Sequence, residues 1–135
     1  MSEPSASPAP QSDDFTPAPS PPDRIGDQYV TVEQLRDVMR QFVRERQWEK
    51  FHNAKNLAMS LAIETGELLE HFQWLTTDEV VAGHGLDRAG IADELADVLC
   101  YALSLANNLD IDIAQAIHQK MAKNRIKYPV PLNAT

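Results

Sequence analysis

Apolar residues recur along this chain at the spacing of helices. Val32, Leu35, Met39, Phe42 and Val43 form one stripe that runs to about Trp48, repeating every three to four residues as one face of a helix does. Thr31 with Gln34 fits a capping box and Val30 with Leu35 a hydrophobic staple, so the first helix is expected to begin there. His52 and Asn53 interrupt the pattern between Phe51 and Ala54. A second helix is expected from about Lys55 to Trp74. A short one follows over Asp78 to Ala82, capped by Thr76 or Thr77 and ended by Gly83-His84-Gly85. Asp87 is placed to cap a third main helix, roughly Arg88 to Asn107, which Asn107-Asn108 closes. Asp110 or Asp112 opens the last helix. Tyr128-Pro129-Val130-Pro131 stops it after about Lys127, because proline cannot continue the backbone ladder. No useful strand alternation appears, so the fold class is all-α.

The second and third main helices have almost no wet face. Ala58, Ala62, Leu69 and Phe72 cover one helix away from its leucine stripe, and Leu95, Leu99, Cys100 and Leu103 do the same on the other. A helix apolar all round is buried on all sides. Four main helices in about 100 residues can barely bury two such helices and also wall a pocket. A four-helix bundle completed by self-association, as a dimer or higher, is the economical expectation.

Acids interrupt these apolar faces at two places. Glu64-Thr65-Gly66-Glu67 and Glu94-Leu95-Ala96-Asp97 each hold two carboxylates three residues apart. At about 100° per residue, each pair lies within about 60° on one helix face. Glu64 and Glu67 share theirs with Leu57, Leu61 and Leu68; Glu94 and Asp97 share theirs with Ile91, Val98, Tyr101 and Leu105. Acids on the core stripes of two helices are expected to meet. Like charges that converge out of water need protons or a cation to neutralise them. A donor set of Glu64, Glu67, Glu94 and Asp97 selects Mg²⁺, or Mn²⁺ in its place. Zinc is excluded by inventory, since His52, His71, His84 and His118 show no HExxH spacing and there is one cysteine. A di-iron bundle needs Glu-x-x-His, and no histidine stands three residues beyond Glu64, Glu67 or Glu94. Gly66 has no role in the helix itself, and close approach of another helix or of substrate would account for it.

Composition narrows the surroundings of that site. Seven of the nine prolines lie between Pro4 and Pro22, and Phe15 is the only large apolar residue of that stretch. Residues 1–28 are therefore expected to be a disordered acidic tail, residues 29–129 the domain and residues 130–135 a flexible end. The tail has neither the basic start nor the apolar run of a signal peptide, and no segment is long and apolar enough for a membrane span. Five acids against Arg24 give the tail a net −4 of the total −8. No basic patch suits a nucleic-acid polymer. Cys100 stands alone within an apolar helix and is expected to be a small core residue of a cytoplasmic protein.

Mg²⁺ with open coordination positions meets phosphate oxygens, and phosphates call for cations at their far end. Lys120, Asn124 and Lys127 share a face of the last helix, with Arg125 beside them. Trp48, Phe51 and Trp74 lie near helix ends, where a tryptophan is more often a lid on the core than a ligand platform; a nucleobase would need such a stacking surface, and His52, Asn56 and Tyr101 could supply edge hydrogen bonds.

These residues also fall into a known order. R-x-W-x-x-F-H (Arg46 to His52), Asn56-Leu57, E-x-G-E-L, F-x-W, E-L-x-D-V and the terminal K-M-x-x-N-R-x-K-Y-P together resemble the MazG-like all-α NTP pyrophosphohydrolases, most of all their dCTP pyrophosphatase branch. The resemblance covers nearly all of residues 31–129. It implies Mg²⁺-dependent cleavage of a nucleoside triphosphate between the α- and β-phosphates, giving monophosphate and pyrophosphate, in a tetramer built as a dimer of dimers. It implies a metal on Glu64, Glu67, Glu94 and Asp97, phosphates facing Lys120, Asn124, Arg125, Lys127 and Tyr128, and a base and sugar among Trp48, His52, Asn56, Trp74 and Tyr101. The sequence departs from the family pattern at Met39, where that pattern carries a histidine near the base. The leading expectation is a pyrophosphohydrolase that sanitises the nucleotide pool. A nucleotide-sensing module without turnover and a purely structural oligomerisation domain are the competing classes. The four acids favour an enzyme over both.

Overall fold

The computed structural model describes residues 24–131. Most of the segment expected to be a disordered tail, and the last four residues, lie outside the described residues. The described chain holds five helices: α1 (Val32–Glu45), α2 (Ala54–Glu70), α3 (Thr77–Ala82), α4 (Arg88–Asn108) and α5 (Ile113–Lys127). Among the described residues there is no strand, and no helix is long and apolar enough to cross a membrane.

Local capping sets the boundaries, as the sequence led one to expect. Thr31 and Gln34 form both bonds of the capping box on α1, and Thr76 and Glu79 do the same on α3. Asp87 accepts from the Gly90 amide at 3.0 Å and Asp112 from the Gln115 amide at 2.9 Å. Each satisfies one of the amides that a helix start leaves free. Gly83 ends α3 at φ 74°, a left-handed conformation that glycine adopts without penalty. The second helix is shorter than its apolar pattern suggested. It stops at Glu70, and His71 to Trp74 form turns. The first helix likewise stops at Glu45, before Trp48, and Gln47 turns the chain at φ 54°.

The centre of the molecule is the pairing of α2 with α4, against which α1 packs through α4. Leu57, Leu61 and Leu68 of α2 and Ile91, Val98 and Leu105 of α4 are among the more buried positions of those helices. Asn107 joins α1 to α4: its Oδ1 accepts from Arg36 Nε at 2.8 Å and Arg40 Nη1 at 2.9 Å, and its Nδ2 donates to the Arg36 carbonyl at 3.1 Å. α3 and α5 make at most glancing contact with the other helices. One chain thus packs three of its four main helices closely and leaves the fourth, α5, loosely attached.

Burial is correspondingly thin. Among the described residues only Leu57, Ala106 and Ser104 are buried, at 2, 2 and 5 % exposure. The helices expected to be covered on all sides are half bare: Met59, Ile63 and Leu69 on α2 and Leu95 and Leu99 on α4 stand in solvent, as do Ile117, Met121 and Ile126 on α5.

Candidate active site

The two acidic pairs meet across the α2–α4 interface. Carboxylate oxygens of Glu64, Glu94 and Asp97 lie within 4.8 Å of one another. Glu67, one turn further along α2, is exposed and falls outside that trio. Its charge still reaches Glu64. Burial first, then the charges of Glu67, Asp97 and Glu94, push the Glu64 carboxyl above its ordinary pKa. Among the described residues, no lysine or arginine pairs with any of the four acids.

Glu94 carries the more telling observation. Its Oε2 is fully buried and has no hydrogen-bond partner. A buried carboxylate oxygen without a partner is costly, and two further carboxylates beside it deepen the cost. A hard divalent cation answers both needs, because carboxylate oxygens are its preferred donors. The residues present therefore fit a divalent metal.

One member of the trio, Asp97, borders an aromatic cavity of about 390 Å³. Asp97 lines it together with Cys100, Tyr101 and Ser104 of α4, Val38, Met39 and Phe42 of α1, and Trp48 and His52 of the α1–α2 loop. The Trp48 and His52 rings lie 6.3 Å apart and 27° from parallel, and Phe42 meets Trp48 edge-on at 5.8 Å. The loop that carries these rings is tied down at several points. Trp48 N–H bonds back to Val43, Phe51 N–H to Trp48, and Asn108 Nδ2 of α4 donates to the His52 carbonyl at 2.7 Å. A second hollow, about 470 Å³, adjoins the first through Trp48, His52 and Tyr101 and includes Asn56 and Ser60. Flat rings along an apolar slot beside a carboxylate cluster suit a planar ligand with an anionic end.

Residues 59–134 match the MazG-like family. That span covers more than half of the chain and includes both acidic motifs. The chain belongs to the MazG-like family. It is 42 % identical over 105 residues to mouse dCTP pyrophosphatase 1 and 40 % identical over 104 residues to the human protein of that name, each alignment covering 76 % of this chain. It spans about three-fifths of the length of those relatives, 62 and 61 % respectively. The crystal structure of a pyrophosphatase from Archaeoglobus fulgidus superposes with a TM-score of 0.70 at 40 % identity, covering 79 % of this chain and all of that one.

In this MazG-like chain the expected site residues divide into two groups. Glu64, Glu94, Asp97, Trp48, His52, Asn56 and Tyr101 converge on the cluster and its two hollows. Trp74 is 86 % exposed in the turn after α2 and lines neither hollow. Lys120, Asn124, Arg125, Lys127 and Tyr128 lie on or just after α5, which stands apart. Asn124 contacts Met121 Sδ there and Lys127 lies over the Tyr128 ring. Cys100 is half-buried and faces the cavity, so it is not the core residue expected. Burial and the charge of Asp97 push its thiol up. Sequence reading missed Val38, Phe42 and Ser104 as cavity walls. Phe42 belongs to the expected α1 stripe, Val38 precedes its Met39 in the chain, and a lone serine among apolar residues was the available signal for the third.

Proposed function

We propose that this chain is a Mg²⁺-dependent nucleoside triphosphate pyrophosphohydrolase, Mn²⁺ substituting, that cleaves the α–β phosphate bond to give monophosphate and pyrophosphate. The observation that carries this reading is the double position of Asp97, which belongs both to the carboxylate trio and to the wall of the aromatic cavity. A nucleotide whose base enters the cavity therefore presents its first phosphate, not its last, to the carboxylates. Glu64, Glu94 and Asp97 would hold the metal, with Glu67 as the fourth acid. Bound there, a divalent cation neutralises phosphate charge and makes a coordinated water acidic enough to act as nucleophile near neutral pH. Trp48, His52 and Tyr101 orient the base, and Asn56 serves the sugar side. Similarity to the dCTP pyrophosphatases supports a deoxynucleotide substrate, with dCTP or a modified pyrimidine as candidate, and the role proposed for such an activity is nucleotide-pool sanitation in the cytoplasm.

The distal phosphates require cations that one chain does not bring to the cluster. Lys120, Asn124, Arg125, Lys127 and Tyr128 serve them once α5 is docked, and Trp74 joins the base side in the same assembly. Self-association as a dimer or dimer of dimers supplies that docking. Its support is the bare stripe of Met59, Ile63 and Gly66 on α2: a Cβ at Gly66 would meet nothing within 4 Å in this chain. The close approach expected at Gly66 thus has to come from outside the chain.

Incubation with a dNTP panel and Mg²⁺, followed by chromatography, tests the reading. Monophosphate and pyrophosphate are expected in equal amounts, turnover should cease in excess EDTA, and label from ¹⁸O-water should enter the monophosphate. Orthophosphate as the primary product would overturn the cleavage site, and nucleotide binding without turnover would make the chain a sensing module.

A further inference from the structure

The aromatic cavity draws its walls from three elements, and two adjacent asparagines at the end of α4 tie these together. Val38, Met39 and Phe42 come from α1, Trp48 and His52 from the α1–α2 loop, and Asp97, Cys100, Tyr101 and Ser104 from α4. Asn107 bonds Arg36 and Arg40 and so fastens α1 to α4. Asn108 Nδ2 donates to the His52 carbonyl at 2.7 Å, across 56 positions of sequence. Among the described residues, every other hydrogen bond of Arg46 to Asn53 stays within five positions along the chain. Such local bonds shape the loop but leave its distance from α4 unset. Burial gives little help, since Trp48 is 42 % and Phe51 57 % exposed, and a ring that stays in water gains little from packing. The Asn108 bond is thus the one directional contact that sets how far the loop stands from the α4 wall.

Asn108 lines neither of the two hollows described above. It borders a smaller one of about 190 Å³, together with His52, Met39, Arg40 and Glu49. Its influence on a ligand in the aromatic cavity therefore passes through His52. Resting on the pyrophosphohydrolase reading, a nucleobase in that cavity needs the Trp48 and His52 rings held at stacking distance. We infer that Asn108 is a positioning residue whose amide anchors the His52 end of the loop and so sets the Trp48–His52 pair in place for the base. Without that donor the loop samples wider placements, and only a fraction of molecules carries a formed cavity. The apparent affinity for nucleotide falls by that fraction. The carboxylates stand on α2 and α4, outside the loop, so the chemical step keeps its machinery.

The test removes the donor and separates binding from turnover. Asn108→Ala changes an exposed position and puts a better helix former at the end of α4. With dCTP, or whichever dNTP the native enzyme prefers, KM should rise about three- to tenfold, the worth of one such bond. Both kcat and Tm should stay close to native. Asn108→Asp, nearly the same shape with no N–H to give, should raise KM at least as much. The Trp48 indole N–H resonance, assigned through Trp48→Phe, should shift or broaden in both Asn108 variants with no nucleotide present. An unmoved resonance or a native KM in Asn108→Ala would overturn the assignment while the activity stands. So would kcat and Tm that fall together while KM holds, the mark of a merely structural residue. A native protein that hydrolyses no dNTP would overturn the pyrophosphohydrolase reading, and this assignment with it.

Discussion

Glu64 feels three neighbouring carboxylates, and its substitution separates chemistry from folding. Glu64→Gln or Asp97→Asn removes a donor from the proposed metal site. The loss should be several kcal/mol of transition-state stabilisation, or about a hundredfold or more in turnover. Metal-free stability should hold or rise, because one like charge leaves a crowded cluster. Calorimetry without metal alongside a turnover assay checks both halves. A variant that unfolds yet keeps its specific activity would show that the acids serve the fold.

At the scale of an element, the start of α3 responds to acid. Glu79 Oε2 accepts from the Thr76 amide and hydroxyl, each at 2.8 Å. Those bonds, the backbone one foremost, hold its carboxyl below the ordinary range. A lowered carboxylate pKa contributes fully above the unfolded value and is lost as pH falls through the folded one. The Thr76 amide resonance should therefore shift on acidification in the native protein and stay put in Glu79→Gln, as an NMR titration would reveal. The start of α4 carries a different constraint. A Cβ at Gly90 would lie 2.5 Å from His71 Cε1 and 2.6 Å from Asp87 Oδ2. Alanine adds up to about 1 kcal/mol of helix preference. Displacing the Asp87 cap costs about as much, and crowding against His71 adds roughly 1–3 kcal/mol. Gly90→Ala should thus lower stability by about 1–3 kcal/mol in urea unfolding, and a gain would mean that His71 yields freely.

The molecule as a whole has more apolar surface than one chain can cover. Three buried residues among those described are a small core for a chain of this size, and a domain this thin is marginal alone. Sedimentation should therefore show a dimer or larger species. Leu99→Glu or Leu69→Glu places a charge on a half-bare face of α4 or α2, where it costs little in the monomer and disrupts a covered interface. Either change should shift the species toward monomer and reduce turnover together, since the α5 cations would no longer reach the cluster. A native protein that sediments as an active monomer would refute the proposed assembly.

Much of this architecture follows from local rules. The starts of α1, α3, α4 and α5 are legible because Thr31, Thr76, Asp87 and Asp112 bond amides only three residues away. The meeting of the acids is legible because helical phase alone puts Glu64 and Glu94 on their core stripes. Phase does not fix how far one helix slides along another, and a shift of three residues is about 4.5 Å of rise. That register, set by packing of α2 on α4, admits Glu64, Glu94 and Asp97 to the trio and leaves Glu67 outside. Tertiary structure also turned two apparent helix-end residues into ties, Asn107 to α1 and Asn108 to the His52 loop. It gave Ser104 a cavity to face, because long-range neighbours decide which side of a nearly all-apolar helix is covered. The place of α5 is decided at a further level, for Ile117, Met121 and Ile126 stay exposed within the described chain. Sequence determined which segments are helical and which faces carry the acids, through interactions within a turn or two. Only tertiary packing decided which acids meet and what they open onto, since those contacts join residues far apart along the chain.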